Sequence, residues 1–110
     1  MRKIEALMNK AITKGENFKM KNTEVITEDG VSSVFLHNNK IAEIGDNFVR
    51  LFDGNFQSNT TKSRLNAILS EHGVDGEGVF QKAGVWFVRV NEPFKVDHKI
   101  VPFSNGMLVE

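Results

Sequence analysis

A chain of 110 residues with 14 basic and 14 acidic side chains and a 40% hydrophobic share has the size and composition of one globular domain, which excludes a disordered or fibrous chain. Its balanced charge excludes the strong overall field that drives nonspecific binding to nucleic acid or anionic membrane, so such a partner needs a local patch. The absence of cysteine excludes disulfides, thiolate nucleophiles and sulfur-ligated zinc together, and fits a reducing cytosol.

The opening residues are interrupted by Glu5, Asn9 and Lys10 and lack the apolar core of a signal peptide, so export is not expected. No run approaches the roughly 20 apolar residues that span a bilayer. The expectation is a soluble cytoplasmic protein with no membrane partner.

Ile4, Leu7, Met8, Ala11 and Ile12 recur at the spacing of one helical stripe, and Gly15 follows as a left-handed cap. Arg2, Asn9, Lys10 and Thr13 fall on the other, solvated face of this first helix. From Phe18 to Phe52 the pattern changes to period two with short turn signals, which predicts a four-stranded antiparallel meander. Asp29-Gly30 suits a two-residue hairpin turn because both residues tolerate positive φ. Asn38-Asn39 is read as the second turn and Gly45-Asp46-Asn47 as the third.

After Asp53-Gly54 and a polar connection, Asn59-Thr60-Thr61 leads into Leu65, Ile68 and Leu69, with Gly73 beyond His72. That predicts a second helix of about three turns, capped by Thr60 or Thr61. Val79 to Gln81 and Val85 to Val90 flank Lys82-Ala83-Gly84 as a C-terminal hairpin. Pro93 precedes a last run, Phe94 to Phe103, and an Asn105-Gly106 turn. The fold class is therefore α+β: one domain over residues 1–110, a mostly antiparallel sheet of meander plus hairpin packed by two amphipathic helices. Phenylalanines alternate with the aliphatic set along Val34–Leu36 and Phe48–Phe52. Either the sheet curls and buries both faces, or Phe35, Phe48, Phe52 and Trp86 form an interface, with a homodimer as one use of it.

Thr60, Thr61, Lys62, Ser63 and Arg64 form the densest polar cluster, at a helix start where unpaired N–H groups favour an anion. They are the candidate contacts for phosphate or nucleic acid, against the plainer reading of a cap beside solvated cations. No glycine-rich loop precedes them, so the nucleotide-loop motif is absent. His37, His72 and His98 show no metal-ligand spacing. His72 fits the last helical turn, where an imidazolium meets the negative end of the dipole, and His98 an outward position on an edge strand. No serine sits in a nucleophile turn, and Glu28-Asp29 and Asp75 with Glu77 read as solvated turn residues. No catalytic residue, metal or cofactor is expected. Trp86, the sole tryptophan, reads as a core residue or an interface anchor. Lys82, Arg89 and Phe80 beside it make the mixture of cations and aromatics that single-stranded nucleic acid binders use.

Three segments, Ser33-Val34-Phe35-Leu36-His37-Asn38-Asn39-Lys40-Ile41-Ala42, Thr60-Thr61-Lys62-Ser63-Arg64-Leu65-Asn66-Ala67 and Val79-Phe80-Gln81-Lys82-Ala83-Gly84-Val85-Trp86-Phe87, resemble small accessory proteins encoded by tailed bacteriophages. The resemblance carries over no activity and no functional residues. It implies expression inside an infected bacterium, where such proteins bind and block or redirect a host factor. The expected function is thus a non-enzymatic binding or regulatory protein, a phage-encoded modulator of a host macromolecule, with a host protein favoured over nucleic acid as partner. The alternatives are a nucleic-acid or phosphate-binding module using the start of the second helix, and an enzyme whose site is assembled from residues distant in sequence.

Overall fold

The computed structural model describes residues 1–91 and 98–109; Pro93, expected as the break before the last run, and Phe94, expected to open it, lie outside them. The first helix, α1 (Lys3–Lys14), starts where the Arg2 N–H donates to Glu5 Oε1 at 3.0 Å. It ends at Gly15, whose φ of 67° lets its N–H reach Ile12 O and the Glu16 N–H reach Ala11 O. Its buried stripe is Glu5, Met8, Asn9, Ala11 and Ile12, rotated from the expected one. Ile4 and Leu7 are only half-buried, and Asn9, expected in solvent, is 2% exposed and donates from Nδ2 to Ala67 O at 3.0 Å.

Strands β1 (Phe18–Met20), β2 (Thr23–Glu28), β3 (Val31–Leu36), β4 (Asn39–Gly45) and β5 (Phe48–Leu51) follow in chain order. Helix α2 (Asn59–His72) comes next, then β6 (Gly78–Lys82), β7 (Val85–Val90), β8 (Lys99–Pro102) and β9 (Met107–Val109). The expected meander is therefore the middle of a larger, six-stranded antiparallel sheet in the order β1-β2-β3-β4-β5-β9. The expected hairpin gains β8 and becomes a separate three-stranded sheet, β6-β7-β8. Asn105-Gly106 does turn the chain, but it carries it from the small sheet to the edge of the large one. There the Gly106 N–H donates to Leu51 O at 2.7 Å.

Two-residue turns set the register of the meander. Asp29 and Gly30 both have positive φ, 51° and 80°, as the sequence predicts. The second turn falls one residue earlier than expected, on His37 and Asn38 with φ of 50° and 67°. A bulge explains the offset: Val34 faces Ala42 but Phe35 faces Lys40, so Ile41 is the extra residue and both Ile41 and Ala42 are buried. At the third turn the Phe48 ring lies across Gly45, where any side-chain carbon would overlap it.

Both helices cover one face of the large sheet, and their apolar residues join Val25, Val34, Ile44, Val49, Leu51 and Val109 in one core. Val79, Trp86 and Val88 of the small sheet belong to the same core. Curling does not bury the second face of the large sheet. Ile26, Ser33, Phe35, Glu43, Phe48 and Arg50 alternate away from the helices and are half-buried, and Leu108 beside them is 58% exposed.

A buried ion pair joins α1, α2 and the start of β2. Arg64 Nη1 donates to Glu5 Oε2 at 2.8 Å, with the two side chains 4% and 2% exposed. The remaining groups are also bonded. Ser63 Oγ donates to Glu5 Oε2 at 2.6 Å, Arg64 Nε to Thr23 Oγ1 at 3.0 Å and Arg64 Nη2 to Asn22 Oδ1 at 3.3 Å. Such a pair contributes little beyond an apolar replacement of the same shape, yet removing one member strands a buried charge. Arg64→Leu and Glu5→Leu should each lower stability by about 3–5 kcal/mol. The double variant should recover part of that loss in a urea-unfolding double-mutant cycle; additive losses would mean the pair is not coupled.

Candidate functional site

Most of the expected anion contacts are committed inside the fold. Helix α2 begins one residue before the expected caps, because Ser58 Oγ accepts the Thr61 N–H at 3.1 Å and Thr60 and Thr61 already lie within the helix. Thr61 is 2% exposed, and its hydroxyl donates to Phe56 O at 3.2 Å. Ser63 and Arg64 face Glu5, which neutralises the guanidinium. Lys62 Nζ donates to Gln81 Oε1 at 3.0 Å and lies 6.0 Å from the centre of the Trp86 ring. Thr60 and the edge of Thr61 line a surface hollow, of about 360 Å³, together with His37, Asp53, Phe56 and Ser58. The expectation of a phosphate site from these five residues is corrected on this point: the arginine is consumed by a buried carboxylate.

The expected interface set is also divided. Phe35, Phe48 and Phe52 lie on the outward face of the large sheet, but an ion-pair row crosses it. Lys40 Nζ bonds Glu43 Oε2 at 2.7 Å, Arg50 Nε lies 3.6 Å from Glu43 Oε1, and Lys40 covers the Phe52 ring at 6.0 Å. Trp86 is in the other sheet and is 3% exposed, so it is a core residue and not a contact surface. Its ring meets Phe103 edge-on, 5.4 Å between centres.

Turning Trp86 inward decides what β7 shows outside. With Trp86 and Val88 buried, strand alternation sends Val85, Phe87 and Arg89 outward. Register then fills the rest of that face: Phe80 pairs Phe87, Gly78 pairs Arg89 and Lys82 pairs Val85, while on the other side Phe87 pairs Pro102 and Arg89 pairs Ile100. Phe80 and Phe87 stack at 5.8 Å with 26° between their planes, and the Arg89 guanidinium lies 5.4 Å from the Phe80 centre. Arg89 Nη1 also donates to Gly76 O at 3.3 Å, which holds it across the sheet. Val85 and Ile100 are 52% and 58% exposed. No residue of the three strands is acidic, and of their basic residues Lys82 and Arg89 fall on the outward face while Lys99, paired with Val90, falls on the other, so a chain of zero net charge carries one locally basic, aromatic platform. The alternation of residues 85–89 is the sequence signal for it, and the grouping of Phe87 with Ile100 and Pro102 is not legible there because it depends on register.

The platform is held from beneath. Asn66 on α2 brackets Val79, its Oδ1 accepting the Val79 N–H at 2.7 Å and its Nδ2 donating to Val79 O at 3.0 Å. Glu77, expected as a solvated turn residue, is 9% exposed. Its carboxylate accepts the Val74 N–H at 2.7 Å and the Asn91 N–H at 3.1 Å, fastening the two ends of the β6–β7 hairpin. His98 Nε2 is bonded with Asp75 O at 2.8 Å, and its ring lies against Gly76.

Among the described residues no group of three metal-ligating side chains occurs, and no helix is long and apolar enough to cross a membrane. His37 lines the hollow beside Asp53, while His72 opens on another, of about 400 Å³, beside Asp46.

The family model for the Kyanoviridae Gp96 protein matches residues 1–110. The chain belongs to this phage protein family. Comparison with curated proteins and with solved structures finds no match. Family membership bears out the phage resemblance of the three segments and leaves the activity to be argued from the platform of this Gp96-family fold.

Two titrating groups set its response to acid. Burial pushes the His72 pKa below its ordinary 6.5, against a smaller upward pull from Glu71, and Nε2 is buried without a partner among the described residues. The imidazole is thus kept neutral, contrary to the expected imidazolium. Burial also raises the Glu5 pKa, but hydrogen bonds from Ser63, the Arg2 backbone and Arg64, with the charge of Arg64, outweigh it and leave the carboxyl below its ordinary 4.5. A depressed folded-state pKa means the unfolded chain binds the proton first, so each group loses its stabilising contribution as pH falls below the unfolded value. The unfolding midpoint should fall first from about pH 6.5 downward and again below about pH 4.5. Replacing His72 with Gln should remove the upper step only, as followed by circular dichroism across the pH series; an unchanged upper step would assign it elsewhere.

Proposed function

We propose that this member of the Kyanoviridae Gp96 family is a non-enzymatic binding protein that acts on a macromolecule of the infected bacterial cell through the outward face of β6, β7 and β8. The observation that supports this reading is the platform itself: stacked Phe80 and Phe87, exposed Val85 and Ile100, and basic side chains without an acidic strand residue. Exposed apolar and aromatic groups gathered on one rigid sheet characterise contact surfaces, whereas scattered ones need no explanation. Arginine and aromatic side chains are also the types that dominate binding energy when desolvated. Membership of a phage family supports the cytoplasm of the host as the place of action.

A photo-crosslinking residue substituted for Val85 tests this in host cells expressing the protein. The expected outcome is one defined macromolecular adduct, lost when Phe87→Glu is added and not formed when the crosslinker replaces Lys10 on the exposed side of α1. No adduct from position 85, or the same adducts from both positions, would sink the proposal.

A further inference from the structure

We infer that the occupant of the β6–β8 platform is single-stranded nucleic acid, an inference that rests on the binding reading above and narrows its partner. Three features of the face point to this chemistry. First, the aromatic rings sit on neighbouring strands at cross-strand register, so they offer successive π surfaces on a rigid sheet, as stacking platforms for unpaired bases do. Second, the cations flank those rings. Arg89 already lies over Phe80, where its planar guanidinium can stack on a base or bond a phosphate, and Lys82 stands next to Val85 at the hairpin end. Third, Lys82 and Arg89, the two cations of this face, have no acidic neighbour within the three strands, although the whole chain is neutral. This is charge complementarity to a polyanion confined to one patch.

Geometry argues against a duplex as the preferred form. A base pair hides its faces inside the stack, and the platform presents no helix to enter a major groove. A splayed single strand can place bases on Phe80 and Phe87 while its backbone runs past the basic side chains. A protein partner would use the same apolar residues but would have no need of the two cations beside the rings.

Fluorescence anisotropy with labelled single strands of about 12 nucleotides, oligo-deoxythymidylate and oligouridylate, tests the inference against a duplex of the same length. Saturable binding to at least one single strand is expected, weaker for the duplex. With two phosphate contacts, the logarithm of affinity should fall with the logarithm of salt at a slope of about −1.4. Phe87→Leu keeps the apolar volume but removes the ring, and should weaken binding by about tenfold without moving the unfolding midpoint. Lys82→Gln and Arg89→Gln should each make the slope shallower by about 0.7. No saturable binding of either strand at low salt would overturn the inference, as would unchanged affinity of a folded Phe87→Leu variant or a duplex bound as tightly as the single strands. A host protein as the crosslinked partner at position 85, with no oligonucleotide affinity, would overturn this inference while leaving the binding reading in force.

Discussion

The Glu5–Arg64 pair is the constraint on which the arrangement of elements depends. It lies where α1, α2 and the entry to β2 converge, and each of its polar atoms that faces the interior meets a partner: Ser63, Thr23, Asn22 or the Arg2 backbone. Hydrophobic contacts alone would allow α2 to slide or rotate on the sheet, because Leu65, Ile68 and Leu69 can be packed in more than one way. A bidirectional charge contact with fixed hydrogen-bond geometry removes that freedom, the role in which buried polar groups are best attested.

From α2 the constraint passes to the small sheet. Two residues beyond Arg64, Asn66 grips the backbone of Val79 on both sides, and Lys62 closes over Trp86. One helix thus converts a buried ion pair on its inner side into a fixed position for β6 and β7. The platform is outward because Trp86 is inward, and Trp86 is inward because it completes the core shared by both sheets. A surface that binds by stacking requires this rigidity, since ordering mobile side chains on binding would offset the gain from each contact.

Patterns that repeat over many residues were legible in the sequence: α1, the meander from β2 to β5, the β6–β7 hairpin and the Asp29-Gly30 turn. Short elements were not. Strands β1 and β9 have three residues each, too few to show alternation, and β9 is defined by pairing with β5, more than fifty residues away along the chain. The Ile41 bulge moved a turn by one residue because Asn38-Asn39 and His37-Asn38 are nearly equivalent locally, and only the register across β3 and β4 distinguishes them. The polar groups that organise the interior were assigned to solvent: Arg64 as an anion contact, Asn9 as a surface residue, Glu77 as a turn carboxylate. Each is buried by a partner distant in sequence, and hydrophobic periodicity carries no information about such partners. For the same reason the platform is only half legible: Phe80, Lys82 and Arg89 group together, and the Phe94–Phe103 run reads as a strand, but its pairing with β7 does not show.

Trp86 is the only tryptophan, and the chain has no tyrosine, so its near-ultraviolet emission comes from one indole. That indole sits edge-on to Phe103, whose N–H donates to Trp86 O at 3.0 Å, at the seam where the small sheet meets the rest of the core. Its emission wavelength therefore reports the wetting of this seam and of no other region. If the small sheet opened before the large one, the indole would redden while far-ultraviolet ellipticity held. Cooperative melting of the two sheets would instead superimpose the two signals, so the protein carries its own gauge of whether its two sheets unfold as one.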